Sequence, residues 1–183
     1  MTPPVPDPGP RPLHLVLMGV SGTGKSTIAA ALRELLRWDF CEGDDLHPQS
    51  NIDKMSRGEA LDDEDRWPWL EALVDWTAER ERGDRDTILT CSALKRSYRD
   101  VLRRGGPGTY FVHLVGDDEL LAGRMSVRER HFMPTSLLDS QLETLEHLEK
   151  DERGMIVDVV QDPESIARMI VAQVGAVGQR QRS

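Results

Sequence analysis

The stretch GVSGTGKS, residues Gly19–Ser26, matches the spacing G-x-x-x-x-G-K-[ST] in full. Glycines at these positions let the backbone curl, so that successive N–H groups point inward and hold phosphate oxygens. The preceding residues, 13–18, form a mostly apolar run that is typical of a buried parallel strand. The following residues, 27–36, are rich in strong helix formers. We interpret the three segments as a strand, a phosphate-binding loop (P-loop) and a helix whose positive dipole end faces the phosphates.

The side chains at the end of this motif predict how a nucleoside triphosphate and a metal ion are held. Lys25 is expected to reach the β- and γ-phosphates, and the hydroxyl of Ser26 is expected to ligate Mg²⁺. The alternative is a glycine-rich turn that only caps a helix, and the strand and helix in register argue against it. The predicted nucleotide-binding residues are Gly19, Val20, Ser21, Gly22, Thr23, Gly24, Lys25, Ser26 and Thr27.

The composition is that of a single acidic domain. The chain has 183 residues, with Lys+Arg 23 against Asp+Glu 32 and a net charge of −9. A negative chain has no general attraction for nucleic acid or acidic lipid, so an anionic ligand needs a local basic site. Cys41 and Cys91 predict neither a disulfide framework nor a zinc site. No apolar stretch is long enough to span a membrane. We therefore expect a cytoplasmic protein without nucleic-acid or membrane partners.

Alternating strand and helix patterns predict an α/β fold, with a five-stranded parallel sheet covered by helices on both faces. Residues 1–12 read as a disordered proline-rich leader, 13–177 as a single domain, and 178–183 as a loose tail. Strands are predicted near 13–18, 38–41, 87–91, 109–115 and 155–159, and helices near 25–37, 48–57, 64–82, 95–104, 117–129, 135–150 and 163–177. Ligands bind at the carboxyl ends of such strands, so chemistry is expected in the segments that follow them.

The segment after the second strand reads EGDDLHP, residues 42–48. A kinase needs a carboxylate that orients or deprotonates the substrate hydroxyl, and Asp44 is the first candidate. Its alternative is a turn before the helix that begins near Pro48. His47 is expected to donate a hydrogen bond to a substrate oxygen, and its alternative is polar surface.

Cationic side chains follow in two further segments. Arg66 lies beside two tryptophans and is expected either to bind a substrate carboxylate or to pair with Asp63 or Asp65. Ser92 follows the third strand, where many P-loop proteins place an Asp, which argues against a GTPase or a motor ATPase. Ser92 and the next helix predict an anion site. The basic residues of that helix, Lys95, Arg96 and Arg99, are either a substrate contact or a solvated face.

A lid is predicted over about residues 120–135. Arg124 and Arg128 are four residues apart and share one helix face, so both are expected to stabilise the charge of the transferring phosphoryl group. A mobile flap that carries them would close over ATP and exclude water. The alternative is an amphipathic helix with solvated arginines.

Together these segments resemble the gluconokinases, small P-loop kinases related to shikimate and nucleoside-monophosphate kinases. The resemblance rests on the P-loop, EGDDLHP, Asn51 with Lys54-Met55, LDDEDRWPWL from Leu61, CSALKRSYR from Cys91, HFMP from His131 and LLDSQ from Leu137. It spans residues 19 to about 146. Two departures, Ala60 and His147, stand where the family usually or often has proline, and they affect only local loop shape.

The resemblance implies a P-loop NTPase fold and ATP-dependent phosphorylation of D-gluconate at its 6-hydroxyl, with Mg²⁺, a closing lid and a homodimer. Gluconate is a polyol with a carboxylate, so it needs one or two fixed cations and several hydrogen-bonding groups. The expected substrate-binding residues are Asp44, His47, Lys54, Arg66, Ser92, Lys95, Arg96, His131 and Gln141.

Other functions are less consistent with the sequence. A kinase of the same fold for another polyol acid, such as shikimate, is the closest alternative, and the histidine- and tryptophan-bearing segments argue against it. A nucleotide-dependent switch would need a guanine-reading Asn-Lys-x-Asp, which the chain lacks. The D-x-x-G match at residues 151–154 precedes the fifth strand and is interpreted as chance. Nucleic-acid binding is disfavoured by the net charge.

Overall fold

The structure, a computed structural model, describes residues 12–126 and 136–179. Its five strands form one parallel sheet in the order β2-β3-β1-β4-β5. The strands are β1 His14–Met18, β2 Asp39–Glu42, β3 Thr87–Thr90, β4 Thr109–Val115 and β5 Gly154–Asp158. The central strand β1 is buried at every position, because β3 and β4 flank it and helices cover both faces. The order brings the segments that follow β1, β2 and β3 to one edge of the sheet.

The helices surround this sheet as the alternating pattern predicts. They are α1 Lys25–Leu36, α2 Gln49–Ser56, α3 Asp63–Arg82, α4 Arg96–Leu102, α5 Asp118–Ser126, α6 Ser136–Thr144 and α7 Pro163–Gln179. Helix α1 packs against α7, and α3 packs against α4. The predicted α/β class and parallel sheet are confirmed. None of the helices in the described ranges is long and apolar enough to cross a membrane.

The beginning of α3 is determined by a reciprocal cap. The Asp62 carboxylate accepts a hydrogen bond from the Asp65 N–H at 2.9 Å, and the Asp65 carboxylate accepts one from the Asp62 N–H at 3.0 Å. This satisfies backbone donors that a helix start leaves unpaired. Lys54 of α2 donates to the same Asp65 carboxylate at 2.6 Å, so the first turn of α3 is tied to α2.

The helix predicted over residues 135–150 ends at Thr144 instead. Residues 145–150 form an irregular segment, and its backbone groups form hydrogen bonds with residues far away in the chain. The Glu146 N–H donates to the Leu94 carbonyl at 2.7 Å, and the Glu146 carbonyl accepts from Arg99 at 3.0 Å. These groups would otherwise continue the helix. A tertiary contact therefore overrides the local helix pattern.

Several predicted features fall wholly or partly outside the described residues. The leader, 1–12, is described only at its last residue, and the tail, 178–183, only to residue 179. The lid, about 120–135, is described to residue 126. Arg128 and His131 lie outside the described ranges, so their roles stay predictions.

Candidate active site

The P-loop has the backbone conformation that its glycines predict. Gly19, Gly22 and Gly24 have φ angles of 142°, 85° and 86°, in a region that residues with a Cβ rarely adopt. A Cβ on Gly19 would lie 2.6 Å from the Leu114 carbonyl oxygen, so the loop also passes too close to β4 for a side chain. Gly24 ends the loop and α1 begins at Lys25. The loop is therefore a glycine-dependent turn at the N-terminus of a helix, which is the geometry that holds phosphates.

Lys25 lies across this loop. Its ammonium donates to the carbonyl oxygens of Gly19 and Val20 at 3.0 and 3.1 Å. Ser26 follows it in the first turn of α1, where its side chain is exposed. The ammonium and the hydroxyl thus lie beside the same phosphate-binding turn.

Two other elements are attached to the P-loop by hydrogen bonds. The Gly19 N–H donates to the Ser92 carbonyl after β3 at 3.2 Å. The Ser21 N–H donates to Gln141 Oε1 of α6 at 2.7 Å. These bonds hold the loop against the end of β3 and against helix α6. Gln141, predicted to bind substrate, contacts both the loop and the cavity described next.

A cavity of about 300 Å³ opens beside the loop at the carboxyl edge of the sheet. Acidic, basic and hydroxyl groups face one another across it. The polar residues that line it include Lys25, Ser26, Glu42, Asp44, Asp45, His47, Arg66, Ser92 and Gln141. The structure thus brings five of the predicted substrate-binding residues to the phosphate-binding lysine, although they are up to 116 positions apart in the chain.

Asp44 lies in a 3-10 turn over Gly43–Leu46 that directly follows β2. The turn is held against β3, because the Gly43 N–H donates to Thr90 Oγ1 at 3.0 Å. The Thr90 hydroxyl in turn donates to the Glu42 carboxylate. These bonds leave the Asp44 side chain 59% exposed at the cavity wall. The segment is a turn held by backbone bonds, and this turn presents the Asp44 carboxylate at the cavity wall.

His47 is buried in the cavity wall, where it contacts one aromatic ring and one side-chain amide. Its ring stacks on Trp69 with centroids 4.0 Å apart and an interplanar angle of 18°. Its Nδ1 lies 3.2 Å from Asn51 Nδ2. Burial lowers the pKa of His47 to about 4, with Asp44 opposing the change and Arg66 adding to it. The imidazole is therefore neutral at physiological pH.

Arg66 is the buried cation of this cavity. Its Nε donates to the Leu61 carbonyl at 3.3 Å, and its guanidinium lies 5.4 Å from the centre of the Tyr98 ring. Of its two predicted carboxylate partners, Asp63 binds Lys95 and Asp65 binds Lys54. Among residues 12–126 and 136–179, no carboxylate lies within ion-pair distance of Arg66. Its charge is therefore directed to the cavity.

The other predicted cations bind acidic side chains outside the cavity. Lys54 contacts Asp62 and Asp65, and Lys95 contacts Asp63. Arg96 binds Asp151 through two bonds of 2.7 and 2.9 Å and also contacts Glu149. These three residues do not line the cavity in the described structure, and their contact with the acceptor stays a prediction. Sequence alone could not distinguish them from Arg66, because each partner is supplied by another element.

Arg124 lies at a second cavity, of about 610 Å³, on the other side of the P-loop. Its Nη2 donates to the Val159 carbonyl, after β5, at 2.8 Å. Gly22 and Gly24 line both cavities, so the loop separates them. Arg124 thus lines the second cavity, whereas Asp44 lines the first, and its contact with the transferring phosphoryl group stays a prediction.

Several site residues were not singled out from the sequence. Glu42 and Asp45 line the first cavity, and Val159 and Gln161 line the second. Asp44 was selected because it lies where a strand ends at the ligand-binding edge of the sheet. The same criterion applies to Glu42, which is the last residue of β2. Asn51 is one of the residues that carry the family resemblance, but no signal in the sequence indicates its contact with His47.

Comparisons with known proteins agree with this architecture. A family profile described as an AAA domain matches residues 15–148. The gluconokinase of Gluconobacter oxydans is 47% identical over 163 residues, which cover 89% of this chain and 92% of that protein. The thermosensitive gluconokinase of Escherichia coli is 44% identical, covering 90% of this chain and 88% of that protein.

Solved structures give the same result. A gluconokinase from Sinorhizobium meliloti superimposes with a TM-score of 0.83 and 47% identity, over 93% of this chain and 96% of that one. A shikimate kinase from Aquifex aeolicus, at 18% identity and a TM-score of 0.64 over 89% of this chain and 96% of that one, shows only that the fold is shared. Because gluconokinases that are 44–47% identical cover about nine tenths of this chain and most of their own length, the chain belongs to the gluconokinase family.

Proposed function

We propose that this protein transfers the γ-phosphoryl group of ATP to the 6-hydroxyl of D-gluconate, giving 6-phospho-D-gluconate and ADP. The observation that carries the proposal is a single cavity that joins the phosphate-binding Lys25 to a carboxylate, Asp44, and a buried cation, Arg66. This combination suits an acceptor with both a hydroxyl and an acid group. The gluconokinases of Gluconobacter oxydans and Escherichia coli, similar along the whole domain, support the choice of acceptor.

The two cavities suggest how the nucleotide lies. Phosphates held on the P-loop between them would place the base in the second cavity, beside Arg124, and the γ-phosphate in the first. The 6-hydroxyl oxygen then forms a bond to the γ-phosphorus while the bond to the β-bridging oxygen breaks. The hydroxyl proton passes to the Asp44 carboxylate, and ADP leaves. Lys25, and Arg128 from the predicted lid, neutralise the charge on the transferring group.

Acceptor recognition follows from the polar groups around the first cavity. Arg66 binds the gluconate carboxylate, since a guanidinium matches a carboxylate with two parallel hydrogen bonds. Asp44 orients the reacting hydroxyl. The remaining hydroxyls are bound by His47, Ser92 and Gln141, with His131 from the lid as a further predicted contact.

The residues present fit a magnesium ion. Ser26 would supply a hydroxyl oxygen in the first cavity, at the start of the helix that follows the phosphate-binding loop. Mg²⁺ prefers oxygen ligands and is usually held by few protein groups together with substrate phosphates and water. This suits the described residues, among which no cluster of three metal-binding side chains occurs. When bound, the ion would offset the negative charge of the β- and γ-phosphates.

A homodimer and a cytoplasmic location are also proposed, on the basis of the family resemblance. Light scattering after gel filtration of the full chain tests the first. A mass of twice 20.6 kDa is expected, and a monomer at working concentration would contradict it.

An acceptor panel tests the main proposal. ADP release is measured with gluconate, shikimate, nucleoside monophosphates and other sugar acids, and ³¹P NMR identifies the esterified position. Gluconate is expected to give the highest kcat/KM, with phosphate at the 6-position. The Lys25→Met variant is the control for contaminating kinases, and it should be inactive with every acceptor. Preference for another acceptor would overturn the assignment.

A further inference from the structure

His47 and Asn51 form a directed hydrogen-bonded pair in the wall of the first cavity. Asn51 Nδ2 lies 3.2 Å from His47 Nδ1 and 2.8 Å from the carbonyl oxygen of Asp65. A carbonyl oxygen only accepts hydrogen bonds, so the Asp65 contact requires the amide nitrogen of Asn51 at this place and uses one of its two hydrogens. The second hydrogen then points at His47 Nδ1, which must present a lone pair.

This pairing determines where the His47 proton is. A neutral imidazole that accepts at Nδ1 carries its proton on Nε2. Nε2 lies 3.8 Å from Asp44 Oδ1, beyond hydrogen-bond distance. The Nε2–H group is therefore available to a ligand oxygen next to Asp44 in the cavity that both residues line.

The surroundings keep the ring fixed and neutral. Trp69 stacks on it, and the Trp69 Nε1–H donates to the Gly43 carbonyl at 2.7 Å, so the stacking plane is itself anchored. The charged groups that face the ring are Asp44 from the 3-10 turn and Arg66 from α3, and they act in opposite directions. Burial decides the balance, and it keeps the pKa of His47 near 4.

We propose that Asn51 is a positioning residue that holds His47 in its Nε2–H form, so that His47 is a fixed hydrogen-bond donor to an oxygen of the sugar acid. The inference rests on the proposed function for the identity of the acceptor. Held in this way, His47 presents no lone pair to the cavity and cannot compete with Asp44 for the hydroxyl proton. It selects an acceptor that places an oxygen lone pair beside the reacting hydroxyl.

The tautomer is tested without any substrate. Long-range ¹H–¹⁵N spectra of the labelled full-length protein at neutral pH distinguish a protonated from an unprotonated ring nitrogen, and His47→Gln identifies the His47 signals by their loss. We expect a proton on Nε2 and a lone pair on Nδ1. In Asn51→Asp, the new carboxylate should accept from Nδ1–H and raise the pKa of His47. A wild-type spectrum with the proton on Nδ1 would overturn the inference, whatever the acceptor panel shows.

A double-mutant cycle tests the consequence for binding. Asn51→Asp is expected to raise KM for gluconate about tenfold, with a smaller change in kcat, since one oriented hydrogen bond is lost. In the His47→Gln background the same change should have no further effect on KM, because a glutamine amide donates without a tautomer. An equal increase in both backgrounds would mean that Asn51 is only structural. If Asn51→Asp does not fold, Asn51→Ala carries the same cycle.

Discussion

Arg66 and Lys54 show that the partner of a charged side chain determines its role. Both were predicted to hold the substrate carboxylate. Lys54 binds the Asp65 carboxylate at 2.6 Å, whereas Arg66 is buried at the cavity, where its Nε donates to the Leu61 carbonyl and its guanidinium lies beside the Tyr98 ring. A buried cation is costly unless it is compensated, so we expect an anionic acceptor to stabilise this charge when it binds.

Replacement of Arg66 should therefore affect acceptor binding selectively. Arg66→Met is expected to raise KM for gluconate about 10- to 100-fold, since a hydrogen bond to a charged group contributes roughly 1.5–3 kcal/mol. KM for ATP should change little. Lys95→Met is the matched control, because its partner Asp63 lies outside the cavity. Steady-state kinetics with each substrate varied would measure both, and equal effects of the two variants on gluconate would contradict the assignment.

Loss of the Asp44 charge should reduce the chemical step. Asp44→Asn keeps the shape of the side chain but accepts no proton, so kcat is expected to fall about 10²- to 10⁴-fold. Asp53→Asn, the same change on the exposed face of α2, is the control and should retain wild-type kcat. Thermal melts check that both variants fold. A normal kcat for Asp44→Asn would remove this residue from the mechanism.

At the scale of secondary-structure elements, the site depends on the close approach of strand ends. A Cβ on Gly43 would lie 2.0 Å from the Thr90 carbonyl oxygen, so β2 meets β3 where only glycine fits. The same residue begins the 3-10 turn that carries Asp44, and its carbonyl accepts from Trp69. Strand packing and the position of the carboxylate that we propose to be catalytic therefore depend on one backbone contact.

Gly43→Ala should separate β2 from β3 and displace Asp44. We expect a loss of stability of about 1–3 kcal/mol, as for other forced overpacking, together with a fall in kcat/KM. Gly175→Ala in α7 is the matched control, since no described atom lies within 4 Å of its added Cβ, and it should stabilise the helix by about 0.5–1 kcal/mol. Urea unfolding and kinetics measure both. Unchanged activity in Gly43→Ala would contradict this account.

A buried ion pair connects α4 to the segment before β5. Arg99 contacts Glu152 through two bonds of 2.8 Å, and both side chains are 0% exposed. Arg99→Met would leave the Glu152 charge partly uncompensated, and we expect the free energy of unfolding to fall by about 3–5 kcal/mol. Arg96→Met breaks a similar two-bond pair on the surface and should cost less than about 1 kcal/mol. Similar urea midpoints for the two variants would show that burial does not decide the effect.

At the scale of the whole molecule, two buried histidines make stability depend on pH. Burial lowers the pKa of both His47 and His113 from 6.5 to about 4. His113 has no hydrogen-bond partner for either ring nitrogen among the described residues. The unfolded chain therefore binds protons below about pH 6.5 that the folded chain does not bind until about pH 4. The contribution of the two histidines to the free energy of unfolding should be fully present above pH 6.5 and should be lost as the pH decreases toward 4.

The His113→Leu variant tests this prediction. Between about pH 7.5 and about pH 5.5 each of the two histidines should lower the free energy of unfolding by about 1.4 kcal/mol. The free energy of unfolding should therefore fall by about 3 kcal/mol in the wild type and by about half of that in the variant. Leucine is comparable in size and leaves no buried nitrogen unpaired. Urea unfolding at the two pH values measures the difference. The same pH dependence in both proteins would contradict the assignment of His113.

The fold and the phosphate-binding loop were determined by the sequence itself. Their signals are local: an apolar run before Gly19–Ser26, helix formers after it, and strands that alternate with helices. Hydrophobic periodicity and backbone sterics act between neighbouring residues, so they can be read without coordinates. The end of α6 at Thr144 shows the limit, because the Glu146 backbone bonds to Leu94 and Arg99, far away in the chain.

Only the tertiary structure decided which charged residues line the cavity proposed to bind the acceptor. Lys54, Arg66, Lys95 and Arg96 are equivalent in a linear sequence, and packing directs only Arg66 to the cavity. The same holds for the His47 proton, which depends on an asparagine one helical turn away and a carbonyl on another helix. The physical reason is that hydrogen bonds and charge interactions act over a few ångströms, and the pairing of distant segments at that range is set by the fold.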